Sequence, residues 1–210
     1  MDSKWLICLD GGHGGLIKGV YQTPGKRSPK FDDGTVLYEG VNNRDNVKRF
    51  MAALTAEGID CVDIVKSNKD IPLQDRVAAA NELAKTRKCL YISVHSDAAG
   101  DGVSWHPASG VSVYTSVGQT ESDKFAEVLL NELAINFGNK VKWRTDKTDG
   151  DGDKEENFYV LKNTSCPAVL IECGFHTNKA EATAMLSEAW KIEYTKAVVS
   201  AVKKWIELNK

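Results

Sequence analysis

The sequence is poor in the features that mark several specialised protein classes. Among its 210 residues no apolar run approaches the ~18 needed for a membrane-spanning helix, so membrane insertion is not expected. There is no basic excess either. Lys and Arg number 27 against 29 Asp and Glu, a net charge of −2. A nucleic-acid binder concentrates positive charge on one face, so nucleic acid is not an expected partner. An acidic disordered chain is excluded by the 42% apolar content. Cysteines number only five, and no two form a C-x-x-C pair, which argues against zinc knuckles and thioredoxin-type sites. A chain of this length buries about 70% of its unfolded surface and needs no covalent staples. Cys8, Cys61, Cys89, Cys166 and Cys173 lie mostly in apolar stretches and are expected to be buried and reduced, as in a chain made in the cytoplasm. The apolar stretch Trp5 to Leu9 is too short for a signal-peptide core.

What is present is an alternation of two hydrophobic periods. Trp5 to Asp10 is almost wholly apolar and predicts a strand buried on both faces. Val47, Phe50, Met51 and Leu54 follow the helical period within 39–57, and Gly58 suits the end of that helix. Strands are expected at Ile59 to Val65, Cys89 to His95, Val111 to Thr115, Phe158 to Leu161 and Ala168 to Ile171. Pro72 opens a helix carrying Val77, Ala80 and Leu83. Residues 120–137 form another, and the tail from about 179 is helical, with Tyr194, Val198, Val202 and Trp205 on one stripe. The expectation is one α/β domain over 1–210, three-layered, with a mostly parallel twisted sheet and helices on both faces. Two long loops, 16–38 and 144–157, interrupt it; loops of that length in a compact domain are usually functional or mobile.

The chemistry gathers at strand ends. His13 lies just beyond the first strand, in Asp10-Gly-Gly-His-Gly-Gly15, and His95 closes Ile92-Ser-Val-His95. Ligands of open α/β sheets bind beyond the carboxyl ends of the strands, so both histidines project towards one edge. Glycines around His13 allow a sharp turn and a close approach. Glu39 opens the first long helix, where the bland reading is a helix-dipole partner. Glu172 follows a fully apolar strand, a costly place for an ionisable group without a purpose. Two imidazoles and a carboxylate are the ligand set of many catalytic zinc sites, and a second carboxylate can serve as base. Spacing alone carries this weakly, since there is no H-E-x-x-H; the rival reading is two structural histidines and two surface glutamates.

Other motifs fail on inspection. Asp149-Gly-Asp-Gly-Asp153 resembles a calcium loop, but Lys154 and Val160 stand where an EF-hand needs Gly and Glu. The glycines around His13 lack the Gly-Lys-Ser/Thr of a P-loop, Ile17 replaces the third glycine of a dinucleotide fingerprint, and no G-x-S-x-G elbow occurs. A Cys173–His176 thiol dyad is disfavoured by the carboxylate next to the thiol.

Four segments in order resemble the zinc-dependent N-acetylmuramoyl-L-alanine amidases of the amidase-3 type. Leu9-Asp-Gly-Gly-His-Gly-Gly15 is similar to that family's D-P-G-H-G-G, with Gly11 in place of proline. Glu39 with Asn43 resembles its second motif, and Ile92-Ser-Val-His-Ser-Asp-Ala98 its I-S-I-H-x-N-A, with Asp97 where asparagine is common. Pro167 to Asn178 resembles P-A-V-L-V-E-x-G-F-x-S-N, with Cys173 and His176 at departing positions, and Arg76 also matches a family position.

The resemblance implies one zinc ion held by His13, Glu39 and His95, with Glu172 as the catalytic glutamate. Asn43 and Arg76 are implied substrate contacts, Arg76 having a structural ion pair as its rival reading. Glu39 is the least secure ligand, because the loop before it offers Asp32 and Asp33 as alternative oxygen donors. The implied reaction is hydrolysis of the amide between N-acetylmuramic acid and L-alanine in peptidoglycan or a muropeptide. The alternative is a zinc-dependent peptidase or amidase acting on another peptide. The remaining expectations are a monomer, made in the cytoplasm without a signal peptide and acting on the cell wall, as an autolysin or as an endolysin released by lysis.

Overall fold

The computed structural model describes residues 5–210; Met1 to Lys4, the start of the domain expected over 1–210, lie outside the described residues. Trp5–Gly11 forms β1, buried along its whole length as its unbroken apolar run demands. A hairpin follows, β2 at Leu16–Ile17 and β3 at Val20–Tyr21. Lys18 and Gly19 turn it with φ of 49° and 80°, two successive left-handed residues as in a type I′ turn. Then come α1 (Glu39–Ala56), β4 (Asp60–Asp63), α2 (Leu73–Ala84), β5 (Lys88–Asp97), β6 (Ser112–Thr115) and α3 (Glu121–Phe137). The chain ends with β7 (Lys154–Glu155), α4 (Tyr159–Asn163), β8 (Ala168–Phe175), α5 (Lys179–Leu186) and α6 (Glu188–Leu208).

The main sheet has the order β4-β1-β5-β8-β6-β7. All its pairings are parallel except β6 against β8. The mostly parallel sheet read from the sequence therefore forms, with helices on both faces. On one face α1, α3, α5 and α6 cover Ile7, Leu9, Leu90, Ile92, Val169 and Ile171. On the other, α2 and α4 cover Leu6, Cys8, Cys89, Tyr91 and Leu170. Alternation along β1 sends Ile7 and Leu9 one way and Leu6 and Cys8 the other. The stripe Tyr194, Val198, Val202 and Trp205 of α6 is at most 2% exposed. Each such side chain contributes roughly 1.5–3 kcal/mol by leaving water.

Helix ends follow the local sequence. Thr120 and Asp123 form a capping box at the start of α3. The Asn178 side chain accepts from the first turn of α5, and Ser187 does the same for α6. Gly58, with φ 71°, follows the end of α1.

One expected strand is corrected. Phe158 to Leu161 does not form a strand; Tyr159–Asn163 is the short helix α4. A helical turn lets the neighbouring residues Val160 and Leu161 both face the core beside α2, whereas a strand would have turned one of them away. Two strands also run past their expected ends. β5 continues to Asp97 and β8 to Phe175, so His95 and Glu172 lie within strands rather than at their ends. The five cysteines are free thiols, with Cys8, Cys89 and Cys173 buried. No helix among the described residues is long and apolar enough to cross a membrane.

Candidate metal centre

The glycine-rich turn after β1 is shaped by close approach. A Cβ on Gly12 would lie 2.1 Å from Cε1 of His95, and one on Gly40 would lie 2.0 Å from the carbonyl oxygen of Gly14. Glycine at both positions lets the start of α1 press onto the turn and the turn press onto β5. His13 itself has φ 63°, a conformation in which a side chain is strained and which the surroundings must hold.

Arg76 and Arg44 do that holding. Arg76 is 2% exposed and reaches up from α2. Its Nη1 donates to Asp10 Oδ1 at 2.5 Å and to the Gly11 carbonyl at 3.1 Å, and Nη2 donates to the His13 carbonyl at 3.2 Å. Asp10 in turn accepts from Tyr91 at 2.6 Å and Ser93 at 3.1 Å. Arg44 donates to the Gly40 carbonyl at 2.9 Å and the Ser67 carbonyl at 2.9 Å. The ion pair weighed for Arg76 in the sequence is present, with its guanidinium buried against Asp10. Asn43 is likewise fully buried, and its Nδ2 stands 3.4 Å from the Gly12 carbonyl.

His13, Glu39 and His95 converge above this scaffold. Glu39 Oε1 lies 3.3 Å from His13 Nε2 and 3.2 Å from His95 Nδ1. The two imidazoles stand edge to face, with centroids 5.0 Å apart. One donor atom from each of the three residues falls within 4.8 Å of the others. Among the described residues this is the one such group able to hold a metal ion. Asp32 and Asp33 are elsewhere: Asp32 pairs with Lys179 at 2.8 Å, and Asp33 accepts from the Thr35 amide at 2.9 Å. The Asp149–Asp153 segment makes no such group; Asp153 instead accepts from Thr115 Oγ1 at 2.6 Å.

The donor set fits a divalent cation. Glu39 is 1% exposed, and burial alone would push its pKa up. Hydrogen bonds and charge from His13 and His95 outweigh that, so its carboxyl is held well below the usual carboxylate range. Its Oε2 is buried without a hydrogen-bond partner among the described residues. An anionic carboxylate with an unused buried oxygen, facing two imidazoles, is a nitrogen–oxygen ligand set of the kind that holds zinc.

Glu172 sits in register with His95 across the β5–β8 pairing. Its Oε2 is buried and unpartnered among the described residues. Burial, then the charges of Glu39 and Asp97, push its pKa well above the ordinary glutamate value.

Sequence reasoning missed one neighbour of the centre. His176 was noted only as a departure and a weak dyad candidate. It is 1% exposed, with Nδ1 3.0 Å from both Oγ and the carbonyl oxygen of Ser96, and 3.8 Å from Glu39 Oε2. Burial lowers its pKa from the ordinary histidine value. No thiol dyad forms: Cys173 Sγ packs against Met185 Sδ at 3.5 Å, and burial pushes its pKa far up.

Comparisons with known proteins place the chain in a family. The family model described as N-acetylmuramoyl-L-alanine amidase (Amidase_3) matches residues 7–204. The N-acetylmuramoyl-L-alanine amidase LytC of Bacillus subtilis is 28% identical over 193 residues, covering 91% of this chain and 34% of LytC. The probable cell wall amidase LytH of Staphylococcus saprophyticus is 29% identical over 175 residues, covering 83% of this chain and 49% of LytH. The chain thus spans about a third of the one and half of the other. The crystal structure of an N-acetylmuramoyl-L-alanine amidase from Clostridium difficile 630 superposes with a TM-score of 0.78 at 24% identity, over 98% of both chains.

Proposed function

The chain belongs to the N-acetylmuramoyl-L-alanine amidase family of the Amidase_3 type, and from that membership we propose that it is a zinc-dependent hydrolase of the amide between N-acetylmuramic acid and L-alanine in peptidoglycan. The observation that carries the reading is the convergence of His13, Glu39 and His95 within 4.8 Å, with Glu172 in register beside His95.

His13, Glu39 and His95 would hold the ion. Zinc bound there would supply a Lewis acid for the scissile carbonyl and lower the pKa of a water towards about 7. Glu172 acts as the proton carrier: it takes a proton from the attacking water and delivers it to the departing amine of L-alanine. Arg76 and Arg44 fix the His13 turn, and Ser96 fixes Glu39 by donating its amide to Oε1 at 3.1 Å. A ligand cage held this way keeps its geometry while substrate binds.

The test compares a muramoyl peptide with the same peptide lacking the muramoyl group. The proposal expects cleavage of the first, with new amino termini that are all L-alanine, and none of the second. Cleavage within the unsubstituted peptide would favour a zinc peptidase on the same scaffold.

A further inference from the structure

The segment after α3 brings a cation beside the proposed catalytic pair. Arg144 N donates to the Val111 carbonyl at 2.9 Å, and Val111 N donates to the Lys142 carbonyl at 2.8 Å. The next residue, Ser112, is in register with Glu172. The Arg144 side chain crosses the open side of Gly110, where a Cβ would meet its Cγ at 2.7 Å. Its guanidinium carbon lies 4.8 Å from the ring centroid of Phe175, and Nη1 is 2.6 Å from Asp97 Oδ2. Asp97 and Phe175 are themselves in register, two residues past His95 and three past Glu172. Glu181, the other carboxylate close by, is engaged by the amides of Gly110 at 2.8 Å and Phe175 at 2.7 Å.

Arg144 is therefore oriented but not used up. Its side chain is 30% exposed, and among the described residues Nη2 and Nε make no hydrogen bond. A guanidinium fixed by stacking and by one Nη–carboxylate contact keeps a free edge that suits a second carboxylate.

We propose that Arg144 forms an anion subsite beside Glu172 that takes a free carboxylate on the peptide portion of the substrate, close to the scissile amide. The proposal rests on the amidase reading and adds a selectivity to it: substrates whose second peptide residue bears a carboxylate are preferred over those with the corresponding carboxamide. Asp97 and Phe175 are positioning residues for Arg144.

The experiment uses zinc-loaded protein and two muramoyl peptides that differ only in that carboxylate or carboxamide. Expected is a kcat/KM about tenfold higher for the carboxylate, expressed mainly in KM, with the ratio falling below about threefold in Arg144→Gln and taking an intermediate value in Arg144→Lys. If Arg144→Gln fails to fold, the ratio in Arg144→Lys decides the same question. A wild-type ratio near one, or a ratio unchanged by the Arg144 variants, overturns the subsite. If wild type cleaves neither peptide, the amidase reading fails, and equilibrium binding of the two peptides then decides the subsite alone. A carboxylate preference lost in Arg144→Gln supports it, and equal binding overturns it.

Discussion

Glu172 and His95 are register partners on adjacent parallel strands, so a buried carboxylate and a candidate metal ligand leave the sheet side by side. The arrangement separates two jobs that a single residue cannot do. Glu172→Gln keeps shape and volume but cannot carry a proton. It is expected to lower kcat by about 10²–10⁴-fold while leaving zinc content at wild-type level. Elemental analysis alongside turnover checks this. Equal loss of metal and activity would make Glu172 a ligand instead.

The three converging donors give the complementary outcome. His13→Ala, His95→Ala and Glu39→Ala should each weaken zinc binding at least 100-fold in a chelator competition, with the fold retained by circular dichroism. Glu39→Ala is the sharpest of the three, since Asp32 and Asp33 lie elsewhere, tied to Lys179 and Thr35. Undiminished affinity in that variant would remove Glu39 from the ligand set.

Gly12→Ala tests the backbone geometry alone. The added methyl would lie 2.1 Å from the His95 ring, so the imidazole has to move. Zinc affinity should fall by about 10–100-fold although no ligand is altered. Wild-type affinity would show that the turn relaxes freely.

Arg76 and Asp10 form an ion pair at 2% and 1% exposure. Arg76→Leu strips the buried Asp10 carboxylate of its counter-charge and should cost about 3–5 kcal/mol. In a domain of this size that is roughly a 6–20 °C fall in Tm, measured by calorimetry. A fall of only a degree or two, with KM raised instead, would return Arg76 to substrate binding.

Asp153 carries a pH signature of its own. Burial, then the neighbouring Asp151 and Asp123, raise its pKa from 3.8 to about 7 against the hydrogen bond from Thr115. A carboxyl whose folded pKa is raised stabilises the fold below its unfolded pKa, and that contribution is lost as pH climbs towards 7. Tm should therefore decline between pH 4 and pH 8, and Asp153→Asn should remove part of the decline and be the more stable protein at pH 8. A parallel pH profile for both proteins would contradict this.

The sheet was legible because its central strands are covered on both faces and leave an unbroken apolar record in Trp5 to Leu9 and Ala168 to Ile171. The short helix at Tyr159–Asn163 was not, because a run of four residues carries too little periodicity to separate a strand from one helical turn. His13, His95 and Glu172 were visible as ionisable residues at the ends of apolar runs. Glu39 was not separable from Asp32 and Asp33 by spacing, since the fold of the 16–38 loop decides which carboxylate arrives. The bonds that tie that loop to the start of α1, from the Gly40 amide to the Tyr21 hydroxyl and from the Glu39 amide to the Lys26 carbonyl, join residues distant in sequence and leave no local signature. His176 and Arg144 escaped for the same reason: each acquires its meaning from a partner on another strand, Ser96 or Asp97.

The most direct test is digestion of purified peptidoglycan by the zinc-loaded protein, by the same protein after chelation, and by the chelated protein resupplied with zinc. Mass spectrometry of the soluble products reads the outcome. The expected result is intact stem peptides beginning at L-alanine, absent after chelation and restored by zinc. Peptides cut at any other bond, or release that persists undiminished without metal, would contradict the reading.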